Sequence, residues 1–121
     1  MSRLAPARGL GAAKKGVQHW WLQRVSAIAL VPLLLWFTAS ITQLAGADHA
    51  TVTAWLARPV VAVLLVLVLF AAFYHLKLGL EVVIEDYVHS ACAKHAMLLA
   101  SGFGCVLLGA IAVFSVLKIA F

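Results

Sequence analysis

Residues 59–87 read PVVAVLLVLVLFAAFYHLKLGLEVVIEDY, and this stretch decides the fold because its first sixteen residues carry no charge. About 20 apolar helical residues are enough to cross a bilayer core. Similar uncharged runs stand on either side of it, at residues 25–47 and 96–117. We therefore predict an all-α integral membrane protein with three transmembrane helices, at about residues 22–45, 59–87 and 95–119.

The composition supports a membrane protein and excludes an ordinary soluble domain. Of the 121 residues, 65% are hydrophobic and only 11% are charged, whereas soluble domains carry roughly a quarter charged residues. The mean hydropathy is +1.08. We expect one membrane-anchor domain over residues 1–121, with residues 1–18 as a tail on the inner side.

The net charge of +5 indicates topology rather than nucleic-acid binding. Most basic residues cluster before the first span and in the second connection: Arg3, Arg8, Lys14, Lys15, Arg24 and Lys94. Only Arg58 and Lys118 lie at the opposite ends of the spans. Since cytoplasmic loops carry an excess of Lys and Arg, the N-terminus is predicted to be inside.

The second span carries ionisable residues at membrane depth, and each is costly enough there to be a functional hypothesis. Lys77 and Glu81 lie one helical turn apart, so a mutually neutralised pair is one interpretation. The alternative is a transporter or channel subunit in which His75, Lys77 and Glu81 form an ion or proton path. The uncharged run of the first span, residues 25–47, contains neither an acid nor a base, which counts against the alternative.

His75 has two interpretations. A neutral imidazole in a membrane can simply hydrogen-bond to a neighbouring helix, as it would in a purely structural assembly subunit, or it can be an axial haem ligand. Gly79 and Asp86 share its helix face, within roughly 40° at 100° per residue, and Gly79 would leave room for a porphyrin. Since no other histidine lies at membrane depth, a second protein ligand would come from another subunit.

Tyr87 follows His75 by twelve residues, roughly 18 Å along a helix, which places it at the inner interface. Tyr87 offers a hydrogen-bond donor, Asp86 a carboxylate and Arg24 a cation, and these three groups suit a quinone. The alternative is that Tyr87 is an ordinary interfacial tyrosine.

In the third span Ser101, Cys105 and Gly109 form a small-residue packing face. Cys92 and Cys105 lie at different depths and are assigned no function.

Three motifs together resemble a known family. His19-Trp20 stands five residues before Arg24, His75 stands twelve before Tyr87, and the run Asp86-Tyr87-Val88-His89 closes the second span. Over nearly the whole chain, this pattern resembles the small membrane anchor (cytochrome b small subunit) of succinate dehydrogenase, respiratory complex II.

The resemblance implies a function for each motif. His75 would be an axial ligand of haem b, with Arg24 and His19 near the propionates and Gly79 packed beside it. Tyr87, supported by Asp86 and Arg24, would bind ubiquinone, while His89 is given no role.

The resemblance also implies partners: a second three-helix anchor that shares the haem, an iron-sulfur subunit and a flavoprotein subunit that carries FAD. This chain has no flavin fingerprint and no iron-sulfur cysteine set, so succinate oxidation would occur on those partners. The short N-terminal extension favours the bacterial plasma membrane over the mitochondrial inner membrane.

Overall fold

The computed structural model describes residues 5–121, and describes side chains from residue 16 onward. This part of the chain contains four helices: α1 (Ala5–Leu44), α2 (His49–Leu56), α3 (Pro59–Tyr87) and α4 (Ala91–Ala120). Three segments are long and apolar enough to cross a membrane: Gly16–Leu44, Pro59–Tyr87 and Ala91–Ala120. The predicted all-α membrane protein with three spans is confirmed.

The helix bounds differ from the predicted spans at two places. Residues 5–18, expected to be a tail, begin α1 at Ala5, in a stretch rich in alanine, the strongest helix former; residues 1–4 of that tail lie outside the described part. Helix α4 begins at Ala91 rather than near residue 95, because Ser90 caps it by accepting a hydrogen bond from the Ala93 N–H at 3.5 Å.

The connection between α1 and α3 contains a helix, whereas a short polar loop was expected there. Gly46 has φ +81°, a left-handed conformation that suits glycine and ends α1. Asp48 then caps the extra helix α2 by accepting a hydrogen bond from the Thr51 N–H at 2.9 Å. Hydrogen bonds with the Thr51 side chain and backbone hold the pKa of Asp48 below its usual range. Trp55 of α2 stacks on Trp36 of α1, with ring centroids 6.0 Å apart.

Helix α3 is the central element of the molecule. It packs against both α1 and α4, and it contributes most of the buried apolar side chains: Val61, Ala62, Leu65, Val68, Leu78 and Ile84. By contrast, the described parts of α1 and α4 bury only Ser26, Leu30 and Cys105. The sides of α1 and α4 that face away from α3 are therefore free to meet lipid or another protein.

Candidate functional site

A polar strip on α1 faces α3 near the inner half of the molecule. The strip consists of His19, Gln23 and Ser26, which follow one another at i, i+4 and i+7 and so share one helix face. Each of the three approaches α3: His19 and Ser26 make hydrogen bonds, and the Gln23 Nε2 lies 3.7 Å from where a Cβ on Gly79 would stand. The α1–α3 interface is thus polar here, whereas its outer half is apolar.

His75 is held from one side only. Its Nδ1 lies 2.9 Å from the Ser26 Oγ, and the Ser26 hydroxyl also donates to the Gln23 carbonyl oxygen at 2.9 Å. Within residues 16–121, Nε2 of the same ring has no hydrogen-bond partner. The structure therefore confirms the hydrogen bond to a neighbouring helix, and it leaves one ring nitrogen for another ligand.

Glu81 is hydrogen-bonded to two side chains, one on its own helix α3 and one on α1. Lys77 Nζ donates to Glu81 Oε1 at 2.6 Å, and His19 Nε2 lies 3.1 Å from Glu81 Oε2. The Glu81 side chain is only 21% exposed, so both hydrogen bonds are partly shielded from solvent. The pair predicted between Lys77 and Glu81 is present, and His19 adds a second helix to it.

In the single chain His19 contacts Glu81; its contact with haem propionates, which the resemblance implies, stays a prediction.

Gly79 lies against α1. A Cβ at this position would lie 3.7 Å from the Gln23 Nε2, which is an ordinary van der Waals distance, so α1 and α3 are adjacent here without a clash that only glycine would avoid. The other end of the Gln23 amide, Oε1, is buried without a hydrogen-bond partner among the described residues. Buried polar atoms are normally paired. The α1–α3 interface therefore contains an acceptor that the described residues of this chain leave unpaired.

Two of the predicted quinone residues, Asp86 and Tyr87, lie at the end of α3, whereas Arg24 lies on α1 between Gln23 and Ser26 of the polar strip. Tyr87 is the last residue of α3 and is 77% exposed, and Asp86 beside it is exposed as well. The Arg24 guanidinium stands over the Trp20 ring, 5.3 Å from its centroid, and the described residues show no ion pair between Arg24 and Asp86. Among the described residues, no side-chain hydrogen bond or ion pair joins Arg24 to Asp86 or Tyr87.

The α3–α4 interface contains an apolar groove of about 240 Å³. Phe73, Tyr74 and Lys77 line it on α3, and Cys105 and Gly109 line it on α4. The small-residue face predicted on the third span is found here: Cys105 is buried, and a Cβ on Gly109 would stand 3.4 Å from the Phe73 ring. The helix that this face receives is α3 of the same chain.

Sequence reasoning missed Ser26 and Gln23. Their signal was present in the sequence, because His19, Gln23 and Ser26 are polar residues on one face of an otherwise apolar helix. No set of three His, Cys, Asp or Glu side chains in the described region could hold a metal ion. A metal at His75 would therefore need its other ligands from a cofactor or a partner.

Comparisons with known proteins point to one family. The model of the family described as succinate dehydrogenase/fumarate reductase transmembrane subunit matches residues 2–117. The succinate dehydrogenase hydrophobic membrane anchor subunit of Rickettsia bellii (strain RML369-C) is 32% identical over 99 residues, 82% of this chain and 79% of that protein. The subunit of the same name from Paracoccus denitrificans is 31% identical over 104 residues, 86% of this chain and 81% of that protein.

Proposed function

This chain belongs to the succinate dehydrogenase/fumarate reductase transmembrane subunit family, and from that premise we propose that it anchors a succinate:ubiquinone oxidoreductase in the membrane and helps to bind haem b and ubiquinone. Its long apolar helices and its relatives, which are named as membrane anchors, support the anchor role. The observation that carries the cofactor part is His75: one ring nitrogen is hydrogen-bonded to Ser26, and the other has no partner among the described side chains.

His75 fits haem iron by the chemistry of its ring. Histidines that ligate metals usually donate the hydrogen of the second ring nitrogen to a neighbouring acceptor, which fixes the ring, and Ser26 is such a neighbour. When bound, haem b supplies a one-electron redox centre at this depth. His75 would hold the iron through Nε2, and Gln23 Oε1 is a buried acceptor close by.

A partner must complete this site. His19 lies near the start of the first candidate span, His49 lies in α2, and His89 and His95 lie just after α3 and in the first turns of α4. His75 is therefore the histidine nearest the middle of a candidate span. We infer that the second axial ligand comes from another anchor subunit. The exposed apolar faces of α1 and α4 are the surfaces on which such a subunit would pack.

The quinone site would lie at the inner end of α3. The Tyr87 hydroxyl can donate a hydrogen bond to a quinone carbonyl, and Asp86 can hold a proton for the quinol. Both side chains are exposed in the single chain, so a site at this position is completed by partners. Arg24 would contribute its positive charge to this site, either from its observed position over the Trp20 ring or after its side chain has turned away from that ring.

Electrons would reach this site from partner subunits, since the chain has neither a flavin fingerprint nor a set of iron-sulfur cysteines. A flavoprotein and an iron-sulfur subunit would oxidise succinate on the inner side. The transporter hypothesis is weaker because Glu81, its central carboxylate, is hydrogen-bonded by both Lys77 and His19, and so is not free to bind a transported ion.

The test is a reduced-minus-oxidised absorbance spectrum of the whole complex, purified in detergent through a partner subunit. The wild-type protein should show a b-type haem band and copurify with three other subunits. The His75→Ala variant should lose or shift this band, whereas the His95→Ala control on α4 should not. An unaltered spectrum in an assembled His75→Ala complex would falsify the ligand assignment.

A further inference from the structure

We propose that Ser26 is a positioning residue for haem: it fixes His75 in the tautomer that ligates iron and lowers the reduction potential of that iron. This inference rests on the proposed function of His75 as a haem ligand. It concerns a residue on a different helix, 49 positions earlier in the chain.

Ser26 is unusual among the polar residues of the described chain because it is buried, with 7% of its surface exposed. A hydroxyl inside a membrane helix is commonly satisfied by a carbonyl one turn earlier, and Ser26 makes that bond with Gln23 at 2.9 Å. Its contact with His75 Nδ1, also at 2.9 Å, is additional. The serine therefore connects the His75 ring to the backbone of α1.

The direction of these two hydrogen bonds follows from the number of protons. A serine hydroxyl has one hydrogen and two lone pairs. Since a backbone carbonyl can only accept, the Ser26 hydrogen points to the Gln23 oxygen. The contact with His75 must then be an Nδ1–H donating to the Ser26 oxygen. In a neutral imidazole this leaves Nε2 without a hydrogen and with its lone pair available.

This tautomer is the one that a metal needs. The hydrogen bond from Nδ1–H to Ser26 also makes Nε2 a stronger electron donor. The Nδ1 proton is partly drawn away from the ring toward the Ser26 oxygen, and this raises the electron density of the ring. A stronger donor stabilises the ferric state more than the ferrous state, which lowers the reduction potential. Ser26 thus acts on the iron through His75 without touching it.

The experiment measures the midpoint potential of haem b and the electron paramagnetic resonance spectrum of the oxidised haem in the purified complex. We compare wild type with Ser26→Ala, Ser26→Cys and Ser26→Thr. Ser26→Ala removes the acceptor, so the potential should shift in the positive direction and the resonance spectrum should change. Ser26→Cys offers only a weak sulfur acceptor and should shift it in the same direction. Ser26→Thr keeps the hydroxyl and should restore a potential close to the wild-type value.

The matched control is Ser101→Ala on α4. Ser101 donates to the carbonyl three residues earlier, at 3.1 Å from Leu98 O, as Ser26 does on α1, but it has no histidine partner. Its removal should leave the potential unchanged. Loss of haem from an assembled Ser26→Ala complex would also support the proposal, because the ring would no longer be held.

Two results would overturn the proposal. If Ser26→Ala assembles with an unshifted potential, Ser26 does not tune His75. If Ser26→Ala does not assemble, an unshifted potential in Ser26→Cys leads to the same conclusion. These results differ from failure of the proposed function, in which an assembled His75→Ala complex would keep its haem spectrum.

Discussion

Glu81 shows how a carboxylate can be accommodated in a membrane-spanning helix. An isolated charge there is costly, but Lys77 and His19 each approach one of its oxygens, at 2.6 and 3.1 Å. The lysine bond lies within α3 and stabilises that helix locally. The histidine bond joins residues 62 positions apart, and so it fixes α1 against α3 at the level of the proposed haem site.

Replacing Glu81 with Gln should therefore destabilise the molecule, because Lys77 would keep its charge without a counter-charge. Hydrogen bonds to charged groups contribute roughly 1.5–3 kcal/mol in proteins, and we expect a loss in this range, observed as a lower Tm of the detergent-purified complex. Glu85→Gln is the matched control, since Glu85 is exposed near the end of the same helix. Equal Tm values for the two variants would show that the Glu81 contacts do not stabilise the fold.

Tyr87→Phe tests the quinone proposal because it removes a single hydroxyl. A neutral hydrogen bond contributes about 0.5–1.5 kcal/mol, so kcat/KM for ubiquinone should fall roughly 2- to 13-fold. The haem spectrum and subunit content should not change. Tyr74→Phe is the matched control, since Tyr74 is on the same helix but lines the α3–α4 groove. Quinone kinetics that are the same in both variants would argue against a role for Tyr87.

Sequence reasoning found the site residues of α3 more readily than those of α1. The four-residue spacing of Lys77 and Glu81 predicts their ion pair directly, and the structure confirms it. The partners of His75 and Glu81 on α1 are 49 and 62 residues away in the chain. Such contacts depend on how α1 rotates against α3, which spacing within one helix does not determine.

Among the helices, α4 uses small residues to approach α3. Gly109 is the tightest point, because a Cβ there would stand 3.4 Å from the Phe73 ring. The small-residue spacing predicts a packing face, and the packing is found. The short helix α2 was not predicted, although Asp48 three residues before Thr51 is a recognisable helix-capping pattern.

Gly109→Leu should therefore force α4 away from α3. Introducing a large side chain into a packed interface costs about 1–3 kcal/mol, and the Tm of the purified complex should fall. Gly104→Leu is the control in the same helix, because a Cβ at Gly104 would meet nothing within 4 Å. If Gly104→Leu lowered the Tm as much as Gly109→Leu, the loss would come from the glycine substitution itself rather than from the contact with Phe73.

At the scale of the whole molecule, the antiparallel order of the helices places the start of α1, the end of α3 and the start of α4 at one end. The hydrogen bond between His19 and Glu81 agrees with this order. So does the position of the Lys77 Cε, which lies 3.8 Å from where a Cβ on Gly102 would stand. Arg24 and Lys94 thus lie toward the end that also carries Tyr87. Since further basic residues precede the first span in the sequence, the positive-inside rule predicts that this end faces the cytoplasm.

The two cysteines of the chain can test this orientation, because Cys92 is exposed at the start of α4 and Cys105 is buried. A membrane-impermeant maleimide should label Cys92 in inverted vesicles but not in intact spheroplasts, and Cys92→Ser should remove the label. Ala57→Cys, in the exposed outer connection, should show the opposite pattern and gives a result even where partner subunits cover Cys92. Labelling of Cys92 in intact spheroplasts would reverse the predicted topology, and would place Tyr87 and the proposed quinone site on the outer side of the membrane.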